Sequence, residues 1–107
     1  MKEIPLELLE LAVFAPLVNT AFCVRQETGE AIELVLVEAA PLPAGAAKAA
    51  GGTRSFTLTF HGPERFFLPQ RMHTFEHEKI GRFSLFIVPI GKGQGIFQYQ
   101  AVFNRAG

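Results

Sequence analysis

Four segments in the second half of the chain decide the fold: Ser55-Phe-Thr-Leu-Thr-Phe60, Met72-His-Thr-Phe-Glu76, the run from Arg82 to Ile90 and the run from Ile96 to Asn104. Each one either alternates apolar and polar residues or is apolar on both faces, and residues typical of turns separate it from the next. Short segments of this kind are characteristic of antiparallel sheets. They predict a mainly β domain.

The first half of the chain adds two further strands. Ala21 to Gln26 and Ala31 to Ala39 flank a turn at Glu27-Thr-Gly-Glu30, where Gly29 suits a positive φ. About six short strands predict a small antiparallel β-barrel or sandwich. We favour a partly closed barrel, because closure removes exposed sheet edges. A length of 107 residues is enough for one domain, which we predict to span residues 1–107.

Residues before the first strand predict a short N-terminal helix. It would run from Pro5 to about Phe14, with Leu6, Leu9 and Val13 as its apolar stripe. An edge strand over residues 8–14 is the alternative. We expect the helix to plug one end of the barrel.

One segment departs from this pattern. Residues 41–52 consist mainly of alanine, glycine and proline, which predicts a mobile loop within the domain rather than a linker between domains.

Charge and composition exclude several classes of protein. Ten basic and ten acidic residues give a formal charge of zero, and no basic stripe of the kind that binds nucleic acid is visible. Glu7 and Glu10 interrupt the leucine-rich N-terminus, which excludes a signal peptide, and no apolar run reaches membrane-spanning length. The single cysteine, Cys23, fits a reducing compartment. The expectation is a cytoplasmic protein that binds neither nucleic acid nor membranes.

The sequence contains no catalytic or cofactor motif, so no catalytic residue and no cofactor is predicted. Gly91-x-Gly-x-Gly95 resembles a phosphate loop, but it opens a strand and not a helix, which indicates a hairpin. The candidates for a metal site are His61, His73, His77 and Glu76. His73 and His77 lie about 13 Å apart along one strand face, too far to share an ion unless the strand bends.

Two strands are apolar on both faces, at residues 32–37 and 83–90. A single sheet layer cannot bury both of its faces, so these strands predict a partner, either a second copy or another protein. Net neutrality favours association as well, because it removes self-repulsion.

A set of motifs resembles a small bacterial family of β-rich domains of unknown function. The motifs are Phe56-x-Leu-x-Phe-x-Gly-Pro63, Leu68-Pro-Gln70, Glu76-His77, Gly81, Leu85-Phe-Ile-Val-Pro-Ile-Gly91 and Tyr99-x-Ala-Val-Phe-Asn104, preceded by Phe14, Pro16, Phe22 and Val24 and by Leu34-x-Leu-Val-Glu38. Relatives often carry glycine where this chain has Asn19, so the turn into the first strand is a point of departure. The resemblance implies no catalytic residues. It implies an accessory or assembly role beside phage-tail-like proteins.

Two hypotheses of function follow. The first is a non-enzymatic interaction or assembly module that forms oligomers. The alternative is a β-barrel that binds a small ligand or a metal, and that could be an enzyme, through the histidine candidates.

Overall fold

The computed structural model describes residues 1–42 and 55–104. Six strands form a closed antiparallel barrel in the order β1-β2-β3-β6-β5-β4, and pairing of β1 with β4 closes the ring. The strands are β1 Ala21–Arg25, β2 Ala31–Pro41, β3 Ser55–Pro63, β4 Arg71–His77, β5 Gly81–Gly93 and β6 Ile96–Asn104. The mainly β prediction is confirmed, and the ring closes fully where a partly closed barrel was expected.

The N-terminal region is helical in short pieces and not as one helix. A 3₁₀ turn at Leu6–Leu8 is followed by α1, Leu11–Phe14, and by a second 3₁₀ turn at Ala15–Leu17. Leu9 and Glu10 are extended between the first two pieces. A short helix is therefore confirmed, but the continuous helix and its stripe are wrong. Tertiary burial overrode the local pattern, because the chain bends to bury Leu9 while Leu6 stays 54% exposed.

The helical piece α1 closes one end of the barrel through Phe14, which is fully buried. Its ring centroid lies 5.8 to 6.4 Å from those of four core phenylalanines, which are Phe22, Phe56, Phe83 and Phe103. These rings belong to β1, β3, β5 and β6, so one side chain joins four strands at the barrel mouth.

The turn into β1 places Asn19 in an unusual backbone conformation. Its φ is +74°, in the left-handed region that glycine adopts readily and asparagine tolerates better than most residues. The Asn19 amide donates to the Leu36 carbonyl at 2.6 Å, which fixes the turn against β2. Asn19 is therefore held in a backbone conformation that glycine adopts readily.

The glycine-rich hairpin is tighter than predicted. Strand β5 continues through Gly93, and only Gln94 and Gly95 form the loop, with φ of +55° and +84°. Positive φ at both residues is the signature of the two-residue turn that matches strand twist. The register shift between Pro89 and Gly91 lets β5 run further along β6 than a regular strand would.

The crossover between β3 and β4 is not a strand, as Pro69 predicts. The Leu68 amide donates to the Tyr99 hydroxyl at 3.0 Å, and both residues are fully buried. Burial raises the pKa of the Tyr99 phenol, so the hydroxyl stays protonated.

Of the predicted mobile segment, Pro41 ends β2, and residues 43–52 lie outside the described residues. In the described part of the chain, no helix is long and apolar enough to cross a membrane.

Candidate functional site

Four large apolar side chains lie on the outer surface of the barrel around one small cavity. We call Leu6, Met72, Phe86 and Val102 the apolar band. Each keeps between 46% and 56% of its surface exposed. Together with Ser84, Leu85 and Phe103 they line a cavity of about 120 Å³. None of these seven residues carries a charge, so the band is an apolar surface exposed to water.

The band lies at the point along β5 where pairing with β4 on one edge ends and pairing with β6 on the other edge begins. Strand β5 pairs with β4 up to Ile87, and its ladder with β6 begins at Val88. The cavity lies on the β4-paired half of β5, between residues 84–86 and residues 102–103 of β6. Met72 lies directly opposite Phe86 in the β4–β5 ladder. Apolar residues of three strands, Met72 of β4, Phe86 of β5 and Val102 of β6, therefore lie beside a gap.

A charged network lies on the outer face of the same hairpin. Glu76 is opposite Arg82 in the β4–β5 ladder, and β1 brings Arg25 to its other side. The Arg25 Nε donates to Glu76 Oε1 at 3.0 Å, and the Arg82 Nε donates to Oε2 at 2.9 Å. Arg82 also reaches Glu3 with its Nη1 at 3.1 Å. This network ties the N-terminal segment to the barrel wall.

The two arginines determine the charge state of Glu76. Their hydrogen bonds, Arg25 first and Arg82 second, lower the pKa of the Glu76 carboxyl below its ordinary value. The hydrogen bonds of Arg82 with Glu76, first, and with Glu3, second, raise the pKa of Arg82. Glu76 is therefore ionised at neutral pH, and each of its two oxygens accepts a hydrogen bond from an arginine.

A second buried group lies at the end of β4. His77 is 5% exposed, and its Nδ1 accepts from the Lys79 amide at 3.1 Å. The neutral ring therefore carries its proton on Nε2, which donates to the Thr20 hydroxyl at 3.0 Å. Thr20 in turn donates to the Leu17 carbonyl at 2.6 Å. This chain of bonds joins the β4–β5 turn to the end of the N-terminal helical region.

Protonation of His77 is expected to destabilise the fold. Burial, followed by Lys79, lowers the pKa of His77 below 6.5, and Glu78 opposes the shift. The unfolded chain then binds more protons than the folded chain at pH values below about 6.5, so stability falls as the pH is lowered through that window. Urea unfolding between pH 8 and 5 measures the slope. His77→Gln is expected to reduce this slope, and an unchanged slope in that variant would contradict the assignment.

The sequence profile of one domain family matches residues 9–103. The chain belongs to the DUF6916 family of domains of unknown function. This confirms the expected membership in a small family without an assigned role. No curated protein and no solved structure matches the chain significantly.

The remaining histidines of this DUF6916 domain also have structural partners. His73 is buried, and its Nε2 donates to the Pro69 carbonyl at 2.8 Å, which holds the crossover against β4. His61 lies on β3, with its Nε2 3.3 Å from the amide nitrogen of Gln98 on β6. The first contact joins the crossover to β4, and the second joins β3 to β6.

The metal hypothesis finds no ligand set in the described part of the domain. Within residues 1–42 and 55–104, no three histidine, cysteine or acidic side chains come close enough together to hold an ion. Glu76 and His77 are neighbours along β4 on opposite faces, with the partners given above. The four predicted candidates are therefore not brought together.

The interior of the DUF6916 barrel, where a small ligand would bind, is filled by aromatic rings. Phe22, Phe60, Phe75 and Phe83 are at most 2% exposed, and their neighbouring ring centroids are 5.3 to 6.5 Å apart. Rings at these distances form ordinary packed pairs. Side chains therefore pack the interior of the barrel at this level.

Sequence reasoning identified only part of this surface. It predicted that β5 is apolar on a second face, which includes Phe86, but it did not place Leu6, Met72 or Val102 beside it. The pair Glu76 and Arg82 could have been found by counting across the β4–β5 turn, because they face each other in a tight hairpin. Arg25 gave no local signal, since only barrel closure brings it to Glu76.

Proposed function

We propose that this domain is a non-enzymatic interaction module that self-associates through the apolar band. The observation that carries the proposal is the clustering of four half-exposed apolar side chains around one uncharged cavity. Contiguous exposed apolar surface is uncommon on monomers and frequent at interfaces between proteins. A second copy offers the same band and so supplies a complementary apolar surface under twofold symmetry.

The expected association is weak and depends on concentration. Full burial of side chains of this size stabilises by about 1.5–3 kcal/mol each, and these are already about half buried, so each adds about 1 kcal/mol. Loss of rotational and translational freedom offsets much of the sum. The formal charge of zero means that no net repulsion opposes the encounter.

Sedimentation equilibrium over a wide range of protein concentration tests this proposal. Phe86→Glu is expected to weaken self-association at least tenfold, because it places a carboxylate in an apolar interface. Phe67→Glu is the matched control, since Phe67 is also a phenylalanine of similar exposure, 50% against 46%, and lies outside the band. It is expected to associate like the unaltered chain.

Circular dichroism of both variants checks that the barrel remains folded. An unaltered chain that is monomeric at every concentration would overturn the proposal. Equal weakening by Phe67→Glu and Phe86→Glu would also overturn it, because the effect would then not be specific to the band.

For the biological setting, we propose an accessory role in the assembly of phage-tail-like particles in a bacterial cytoplasm. The motif resemblance supports the assembly role, and the free thiol of Cys23 fits a reducing compartment. Purification of the tagged chain from its native host, with mass spectrometry of what accompanies it, tests the setting. We expect tail proteins in the purified fraction. Their absence would remove this setting and leave self-association as a separate question.

A further inference from the structure

The first residues of the chain pair with the barrel through one isolated β-bridge, and we call residues 2–4 the added strand. The Arg82 amide donates to the Lys2 carbonyl at 2.7 Å, and the Ile4 amide donates to the Arg82 carbonyl at 2.8 Å. Glu3 and Arg82 form a parallel bridge. Arg82 lies opposite Glu76 of β4 on one edge of β5. The added strand therefore pairs with the other edge of β5, which faces away from β4.

The barrel provides a specific seat for this strand. The ladder between β5 and β6 begins only at Val88, so the half of β5 that contains Arg82 has an edge that β6 does not pair with in the described residues. Gly81 permits the close approach, because a β-carbon there would overlap the Lys2 carbonyl oxygen. A seat for one extended strand is therefore built into the fold.

Backbone hydrogen bonds and the side chain of Ile4, which packs against the core, hold the strand in place. The 3₁₀ turn at Leu6–Leu8 buries no residue, and Leu6 and Leu8 are 54% and 58% exposed. The ion pair of Glu3 with Arg82 is exposed and contributes little in water. The first fully buried residue of the chain is Leu9, and the family match also begins at residue 9. The segment before Leu9 thus lies outside residues 9–103, the part of the chain that the family profile covers.

The same segment carries one member of the apolar band. Leu6 lines the cavity with Met72, Phe86 and Val102, although it belongs to the N-terminal segment and they belong to the barrel. Leu9 and Glu10, which join the two parts, are already extended. Movement of the segment to a neighbouring barrel would therefore keep every contact that it makes now, which is the condition for exchange between identical chains.

We propose that two copies exchange the segment Lys2–Leu8, each inserting its strand beside Arg82 of the other and its Leu6 into the other's cavity. This inference rests on the proposed self-association and specifies how it is achieved. Exchange brings the two apolar bands together, because each Leu6 crosses from one copy to the other.

Disulfide trapping between different chains tests the exchange. Glu3→Cys and Arg82→Cys are made in separate chains, each with Cys23→Ser, and the two chains are mixed at high concentration and oxidised. Residues paired across a bridge lie within the range that a disulfide spans. We expect a covalent dimer on a non-reducing gel. Thr28→Cys, in the exposed turn between β1 and β2, replaces Arg82→Cys as the control for random collision and is expected to give little dimer.

Locking the strand within one chain gives a second readout. The double variant Glu3→Cys with Arg82→Cys, oxidised while dilute, holds the segment on its own barrel and is expected to dimerise at least tenfold more weakly than its reduced form. If Arg82→Cys does not fold, Ser84→Cys with a short thiol cross-linker replaces it, since Ser84 is exposed on the same face of β5.

The outcomes separate the two proposals. If the unaltered chain dimerises but the Glu3→Cys chain forms no disulfide with the β5 variant, the exchange is overturned and association through the band remains intact. An unaltered chain that never dimerises overturns both. A covalent dimer together with a weakened locked form supports both.

Discussion

Replacing Phe14 with alanine is expected to lower the free energy of unfolding by about 3–5 kcal/mol, the usual cost of removing a fully buried phenylalanine. The ring is 0% exposed and contacts four core phenylalanines from four strands. Its loss would leave a cavity at the barrel mouth that the surrounding strands cannot fill, because the closed ring fixes their positions. Urea unfolding followed by circular dichroism measures the change.

Phe67→Ala is the control for this measurement. Phe67 is half exposed, and its ring packs against that of Phe97 at a centroid distance of 5.3 Å. Its loss is expected to cost about 1 kcal/mol, the value of an exposed aromatic pair. A cost for Phe14→Ala no larger than that of the control would show that α1 does not act as a plug.

Gly81→Ala is expected to be the next most damaging change, for two reasons that act together. Gly81 has a φ of +114°, where a side chain costs about 1–3 kcal/mol. The new β-carbon would in addition overlap the Lys2 carbonyl oxygen and push the N-terminal strand from its seat. We expect a larger loss of stability than strain alone gives, together with loss of hydrogen-exchange protection at the Ile4 amide, which donates to Arg82.

Gly29→Ala separates these two effects. Gly29 has a φ of +94°, but no atom of the described residues lies within 4 Å of the position that a β-carbon would take. This variant therefore suffers strain without overlap, and its Ile4 amide is expected to remain protected. Equal costs for the two variants, with Ile4 protected in both, would show that the seat at Gly81 contributes nothing.

Several surface features of the domain lie close together on the β4–β5 hairpin. Strands β4 and β5 carry Met72 and Phe86 of the apolar band and the ion pair of Glu76 with Arg82, and the N-terminal strand attaches beside them. A single hairpin thus combines an apolar surface, an ion pair and the attachment point of the N-terminal strand. This combination supports the proposed interaction with another chain.

The strands themselves were determined by the sequence alone. Alternation in Phe56, Leu58 and Phe60 predicted three inward residues, and all three are fully buried. The reason is that a strand with one buried face needs an apolar residue at every second position, whatever its neighbours are. The short turns also determined which strands form hairpins. The turns between β4 and β5 and between β5 and β6 are so short that the strands they join must be antiparallel neighbours.

Only the tertiary structure decided how these strands meet. The contact of Arg25 with Glu76 exists because β1 closes the ring against β4, and a contact between residues 51 positions apart leaves no local trace. The break at Leu9 has a similar origin, because the position of the barrel mouth determines which N-terminal residues can be buried. The change of partner along β5, and with it the apolar band and the strand seat, follows from the register of the closed ring. Periodicity assigns residues to faces, but it carries no information about which strand lies beside which at a given height of the barrel.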